Sequence, residues 1–305
     1  MPEYPDVEVY VDCLKKRILG QTLEAVRLGS PFVLRSVDPP IREAGGREVT
    51  DVLRLGKRIV LALEGERALV IHLMIAGRLL WQKPGYKLPR KAGLAAFDFE
   101  PGTLLLREAG SKRRASLHFV HSNDLAAFDR GGLEVIDASA ADFKEALLRE
   151  NHTLKRSLTD PRLFSGIGNA YSDEILHHAR LSPLKWTSRL ADDEIERLRA
   201  STVTVLEEWR LRLQAEVGDG FPKKVTAFRK EMAVHGRFRL PCPDCGSPVQ
   251  RILYAENECN YCARCQNKGR LLADRALSRL LKKDWPRSLE ELEELRSPSA
   301  GGAPA

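Results

Sequence analysis

The chain has 305 residues, enough for two or three domains. Its 43% hydrophobic and 30% charged residues are those of a globular protein. No apolar run approaches the ~20 residues that cross a bilayer, and no basic stretch followed by an apolar one opens the chain, so the expectation is a cytoplasmic protein with no membrane partner. Lys and Arg number 49 against 42 acids, a formal charge of +7 with a pI near 9.1, which suits a polyanionic partner. Residues 286–305 are Glu-rich, so the rest of the chain is more basic than this total.

The chain opens "MPEYPDVEVY", with two prolines and several carboxylates at the start. Val7, Val11, Leu14 and Ile18 recur at helical spacing and Gly20 is a stop, which predicts a helix from about Pro5 to Leu19. "KRIVLAL", "EGE" and "RALVIHLMIAGRLLW" read as strand, turn, strand; "LAAFDFE", "PGT" and "LLLRE" repeat the pattern, and "ASLHFV" follows. These short apolar runs predict a β-sandwich over residues 1–132. From "GGLEVID" onward the period changes to three or four, predicting helices over about 139–217 that end at Gly218. The domain expected there runs over 139–233, a Cys-rich module and following helix over 234–285, and a flexible tail over 286–305.

Five of the six cysteines lie between 242 and 265. Cys242-x2-Cys245, sixteen residues, then Cys262-x2-Cys265 give two knuckles flanking a hairpin-length segment, the spacing of a four-thiolate zinc site. Such a set predicts one structural Zn2+, closed to water, with Cys259 outside it. "TDPRLFSGIGNAYSDEIL" places Gly-x-Gly-Asn before an amphipathic helix, where exposed N–H groups suit a phosphate or Asn169 caps the helix.

"PEYPDVE" after Met1, "SGIGNAYSDE" and the C-x2-C-x16-C-x2-C pattern followed by Gln266 together resemble the formamidopyrimidine-DNA glycosylase / endonuclease VIII family, in the same order over nearly the whole chain. The resemblance implies an α+β multidomain fold: an N-terminal β-sandwich, a central helix–two-turn–helix domain and a C-terminal zinc-ribbon hairpin. It implies a monomeric bifunctional DNA glycosylase and abasic-site lyase acting on damaged double-stranded DNA, cytoplasmic and nucleoid-associated. By the same resemblance Met1 is removed, Pro2 is the nucleophile, Glu3 is the adjacent acid, and Lys57 in "LGKRIV" helps the lyase step and clamps the backbone. His72 in "IHLMIAG", likened to a family hairpin, Lys155 in "NHTLKRSL" and Asn169 are the implied phosphate contacts. An amine with a pKa of about 7.7–8.0 is partly free at neutral pH, as a nucleophile must be.

Some positions depart from the family. Asn257 stands where the zinc hairpin carries an Arg, and Asn cannot fork onto phosphate as a guanidinium does. Ile75, with Met74 beside it, holds the place of the family's Met wedge. "FDRGGLE" is read as the region of the Arg-Phe-Gly loop, and Asp6 stands for a common Glu. These departures imply a divergent branch with a different lesion range. The alternative to an enzyme is a non-catalytic damaged-DNA-binding protein on the same scaffold, against which Pro2 and Glu3 both count. A zinc-ribbon module of a ribosome-associated factor would make the N-terminal match accidental.

Overall fold

The computed structural model describes residues 1–296 apart from 111, 224, 227, 255–256, 274–279, 281 and 285. The chain divides into two compact units. One holds Met1–Glu134, Asp160–Ile167 and Leu206–Ala227; the other holds Val135–Thr159, Gly168–Val205 and Phe228–Ala305. The expected domains were continuous stretches, whereas the first unit draws in two later segments that sequence order does not reveal.

The first unit opens with helix α1, Tyr4–Ile18. Asp6, at the third helical position, reaches back to accept from the Glu3 amide at 3.1 Å, the return half of a capping box. Lys15, Lys16 and Arg17 in the last turn complement the helix dipole. Val7, Tyr10, Val11, Leu14 and Ile18 are buried in one core cluster, and each such side chain contributes roughly 1.5–3 kcal/mol of transfer free energy.

That cluster also takes the inner faces of two antiparallel sheets. The first has five strands in the order β1 (Thr22–Leu23), β3 (Arg47–Leu55), β4 (Arg58–Leu63), β5 (Arg67–His72) and β9 (Ser116–His121). The second has four, in the order β2 (Ala25–Leu28), β7 (Gly93–Phe99), β8 (Gly102–Glu108) and β6 (Gly77–Gln82). The expected sandwich is present. β4 and β5 read as unbroken apolar runs because both their faces are covered. Ile59, Leu61, Leu69 and Ile71 face the main core, while Val60, Ala68, Val70 and Val120 pack under Leu55, Leu125 and Phe128.

The stretch from Arg67 to Trp81, read as one strand, is two. β5 and β6 lie in different sheets, so "IHLMIAG" is a crossover and not a hairpin. The Gly77 amide closes the crossover on the Leu73 carbonyl at 2.9 Å, and Met74 takes a left-handed conformation with φ of 52°.

The second unit holds helices α2 (Ala140–Leu148), α3 (Leu154–Thr159) and α4 (Asn169–His178) and the first part of α5 (Asp192–Val217). Ser139 caps α2 by accepting from the Asp142 amide at 3.1 Å. Strands β10 (Gln250–Tyr254) and β11 (Asn257–Tyr261) form a hairpin in which Ile252 pairs with Cys259. A short helix α6 (Ala263–Asn267) follows. The region 286–305, expected to be a flexible tail, contains a helix, Leu289–Arg296. Its Leu289 is buried with Ile252, Cys259, Tyr261 and Ala263, so this leucine gives the segment an apolar anchor. The helix expected over 271–285 falls largely outside the described residues. Among the described residues, no helix is long and apolar enough to cross a membrane.

Candidate active site and metal knuckle

In the first unit the start of the chain is enclosed. Pro2 is buried, and Glu3, at the N-cap of α1, is 2% exposed. Tyr4 anchors the turn into the helix: its amide donates to the Gly166 carbonyl at 2.9 Å and its hydroxyl to Glu207 Oε1 at 2.9 Å. The Arg54 guanidinium lies 4.7 Å from the Tyr4 ring centroid and is paired with Glu8 at 2.5 Å and with Glu134. Gly166 has φ of +77°, and a Cβ there would sit 3.0 Å from Tyr4 Cβ, so a side chain would press on this anchor.

The amino group at Met1 is held below its ordinary value of 8.0. Burial is the largest cause; Glu3 and Asp6 oppose the shift, while Arg78 and Lys57 assist it. Two cations and two carboxylates thus act on the terminal amine. Arg78 was not singled out from the sequence, where it is one arginine in a strand pattern; only the pairing of the two sheets' residues around the terminus reveals it.

Lys57 follows Gly56 in the tight turn from β3 to β4, where Leu55 pairs with Arg58 and Gly56 has φ of 61°. A two-residue hairpin loop of this kind favours glycine at its first position. His72 ends β5, directly opposite Arg58 on β4. Its pKa is pushed down to about 4, first by burial and then by the neighbouring cations Arg58 and Lys57. At neutral pH it is therefore a neutral hydrogen-bonding imidazole. Ile75 is 55% exposed at the crossover, and its carbonyl accepts from the Arg78 guanidinium at 3.2 Å. A Cβ on Gly77 would meet the Leu73 carbonyl oxygen at 2.3 Å, so the loop that displays Ile75 needs glycine there.

In the second unit Asn169 is the first residue of α4, with Gly168 as its N-cap, and is partly exposed. Gly168, and not the Asn169 side chain, occupies the capping position. Lys155 is not disposed as the sequence suggested. It is 9% exposed, and its ammonium donates to the Asn169 carbonyl at 2.6 Å, Ser172 Oγ at 2.8 Å and Asp173 Oδ1 at 2.6 Å. All three donors of an ammonium have an internal acceptor. Asp173 also has His235 Nδ1 at 2.8 Å and the Asn260 amide at 3.1 Å on its other oxygen. Glu174 accepts from the amides of Ala233, Val234 and His235. The sequence shows these acids only as part of an amphipathic helix.

Cys242, Cys245, Cys262 and Cys265 place their sulfurs within 4.8 Å of one another. The pairs Cys242–Cys265 and Cys245–Cys262 are 3.9 and 3.4 Å apart. A tetrahedral ion with bonds of ~2.3 Å spaces its sulfurs by about 3.8 Å, so the set fits a metal. Gly246, with φ of +75°, donates to the Cys242 carbonyl at 2.9 Å and turns the first knuckle. Gln266 braces the second: its side-chain oxygen accepts from the Cys262 amide at 2.8 Å and its nitrogen donates to the Leu181 carbonyl at 3.0 Å. Cys259 lies in the neighbouring apolar cluster, and burial pushes its thiol well up.

Comparison with known proteins agrees with this layout. Residues 1–117 match the formamidopyrimidine-DNA glycosylase N-terminal domain and residues 134–213 its H2TH domain. The chain is 33% identical over 281 residues to a formamidopyrimidine-DNA glycosylase of Heliobacterium modesticaldum, covering 87% of this chain and 100% of that protein. It is 34% identical over 287 residues to the one from Thermus thermophilus, covering 88% and 100%. The crystal structure of the MutM (Fpg) protein from Thermus thermophilus superposes with a TM-score of 0.72 at 32% identity, over 87% of this chain and 98% of that one. The Lactococcus lactis Fpg in a complex with abasic-site DNA shares the fold, with a TM-score of 0.75 at 22% identity over 87% and 99%.

The fold is thus that of the helix–two-turn–helix proteins with a two-sheet N-terminal domain and a cysteine-knuckle hairpin. The chain belongs to the formamidopyrimidine-DNA glycosylase family.

Proposed function

We propose that this protein excises damaged bases from double-stranded DNA and cleaves the resulting abasic site, with Pro2 as the nucleophile once Met1 is removed. The observation that carries this reading is the enclosed terminus: Pro2 and Glu3 are buried, and the Met1 amine one residue before Pro2 is held below its ordinary pKa, first by burial and further by Arg78 and Lys57. A lowered pKa raises the fraction of such an amine that is unprotonated and keeps its lone pair for attack.

The chemistry follows from these groups. The Pro2 nitrogen forms a bond to C1′ of the damaged nucleotide as the glycosidic bond breaks; the base leaves with the bonding pair and takes up the proton that the Pro2 nitrogen gives up. Glu3, as the acid, protonates the ring oxygen O4′. The C1′–O4′ bond opens and leaves an iminium between Pro2 and C1′. The cationic iminium draws electrons from the C2′–H bond; loss of that proton expels the 3′ phosphate. Water then releases the sugar and regenerates the amine.

Lys57, neutral His72 and Asn169 contact backbone phosphates in this reading. Lys155 holds the start of α4 instead of touching DNA. Ile75 fills the gap left by the extruded base. The four thiolates hold one Zn2+, whose chemistry here is structural: it fixes the knuckle beneath the β10–β11 hairpin. The partner is DNA, for which the net charge of +7 is suited.

Borohydride reduction of the protein on an abasic duplex tests the reading. A covalent protein–DNA adduct is expected, and an N-terminal extension that blocks the amine should abolish it. A damage-binding protein without chemistry would give no adduct in either case.

A further inference from the structure

His177 lies in the last turn of α4, 3% exposed, with Nε2 3.3 Å from Cys242 Sγ. Asp244 Oδ2 is farther, at 3.9 Å, and has Arg180 at 3.3 Å; the Cys265 sulfur lies within 4.8 Å of the ring. The Cys242 sulfur is therefore the acceptor within reach, and the carboxylate is not. A phenyl ring would fill the same space without the cost of burying a polar N–H, a cost that is recovered only if the N–H finds an acceptor. A metal-bound cysteine is a thiolate and can only accept, which puts the proton on Nε2.

We propose that His177 is a positioning residue for the metal knuckle: its Nε2–H donates to the Cys242 thiolate, slows loss of the metal and ties the end of α4 to the knuckle. The proposal rests on the zinc reading above. Donation to a thiolate draws charge from the sulfur and fixes its orientation toward the ion. Groups that orient metal ligands in this way typically alter metal affinity by about 10–100-fold. The same helix begins at Asn169, so one ten-residue element carries the knuckle's hydrogen bond at one end and the candidate phosphate contact at the other.

The test uses the full-length zinc-loaded protein. Transfer of zinc to an excess of a chromogenic chelator is timed for the wild type, His177→Phe and His177→Gln. The Phe variant, which keeps a flat ring but no donor, should release zinc at least about 10-fold faster; the Gln variant, which retains an N–H, should stay within about threefold of the wild type. Equal rates for all three would overturn the proposal. Equally fast release from both variants would also overturn it, because the ring and not the donor would then matter. A measurement without any variant stands beside this one. In the cadmium-113-loaded wild type, a proton on His177 Nε2 coupled to the metal through the hydrogen bond is expected; a proton on Nδ1 alone would contradict the assignment. Native mass spectrometry of the wild type separates the two readings: a chain that takes up no metal overturns the zinc site itself, whereas a loaded chain with unchanged release overturns only the role of His177.

Discussion

Lys155 and Asp173 form a buried ion pair, 2.6 Å from Nζ to Oδ1, with the Asp173 side chain fully covered. Removing the lysine leaves a carboxylate inside the protein without its cation, met by His235, Asn260 and the Cys259 thiol. Lys155→Met should therefore cost about 3–5 kcal/mol in urea unfolding. Lys57 and Asn169 should behave differently on DNA. Lys57→Ala should flatten the dependence of log affinity on log salt by about 0.9, the value for one lost ionic contact. Asn169→Ala should weaken binding with little change of slope. A Lys155→Met protein, measured at a temperature where it is folded, should keep the wild-type slope; a slope lowered like that of Lys57→Ala would return Lys155 to the phosphate contacts.

His72 gives a pH dependence. Its folded pKa of about 4 lies below its ordinary 6.5. Between these values the unfolded chain binds the proton and the folded chain does not, so stability falls as the pH drops from 6.5 toward 4 and is fully present above that window. The contribution is up to about 3 kcal/mol. His72→Gln, which stays neutral, should remove this part of the slope in unfolding experiments at pH 4 to 7. An unchanged slope would mean that His72 titrates normally.

Ile75 is displayed on a loop closed by the Leu73 carbonyl and Gly77 amide. An exposed apolar side chain there is disposed to replace an extruded base, and unstacking costs a few kcal/mol. Ile75→Ala should slow base excision from duplex DNA by about 10-fold or more, while cleavage of a preformed abasic site suffers less, both measured in single turnovers. An equal fall in the two rates would remove the wedge role and point to Met74.

Cys259 sits among Ile252, Tyr261 and Leu289 and outside the four-sulfur group. Cys259→Ser should retain one zinc by native mass spectrometry, whereas Cys262→Ser should lose it. Loss of metal from the Cys259 variant would make that thiol a ligand.

Much of this architecture is legible in the sequence where one local period decides the outcome. The helical spacing of Val7, Val11, Leu14 and Ile18 places α1 within a residue at each end. The two Cys-x2-Cys knuckles fall together because their spacing is set by the ion they suit. What stays hidden depends on partners far along the chain. "NHTLKRSL" offers a lysine that looks free for phosphate, and only the fold turns Asp173 toward it. Arg78 alternates like any strand residue until its sheet packs near the terminus. The crossover at Met74 and Ile75 hides inside an apolar run because both flanking strands are buried. After Ser288, composition suggested a tail, but one buried leucine and a helical repeat were enough for a helix.

The central claim is that the amine of Pro2 attacks the sugar. Peptide mapping of the borohydride-reduced adduct by tandem mass spectrometry tests it most directly. The account predicts the reduced sugar on the N-terminal peptide that begins at Pro2, attached through the proline nitrogen. An adduct on a lysine, Lys57 in particular, with the Pro2 peptide unmodified, would contradict it.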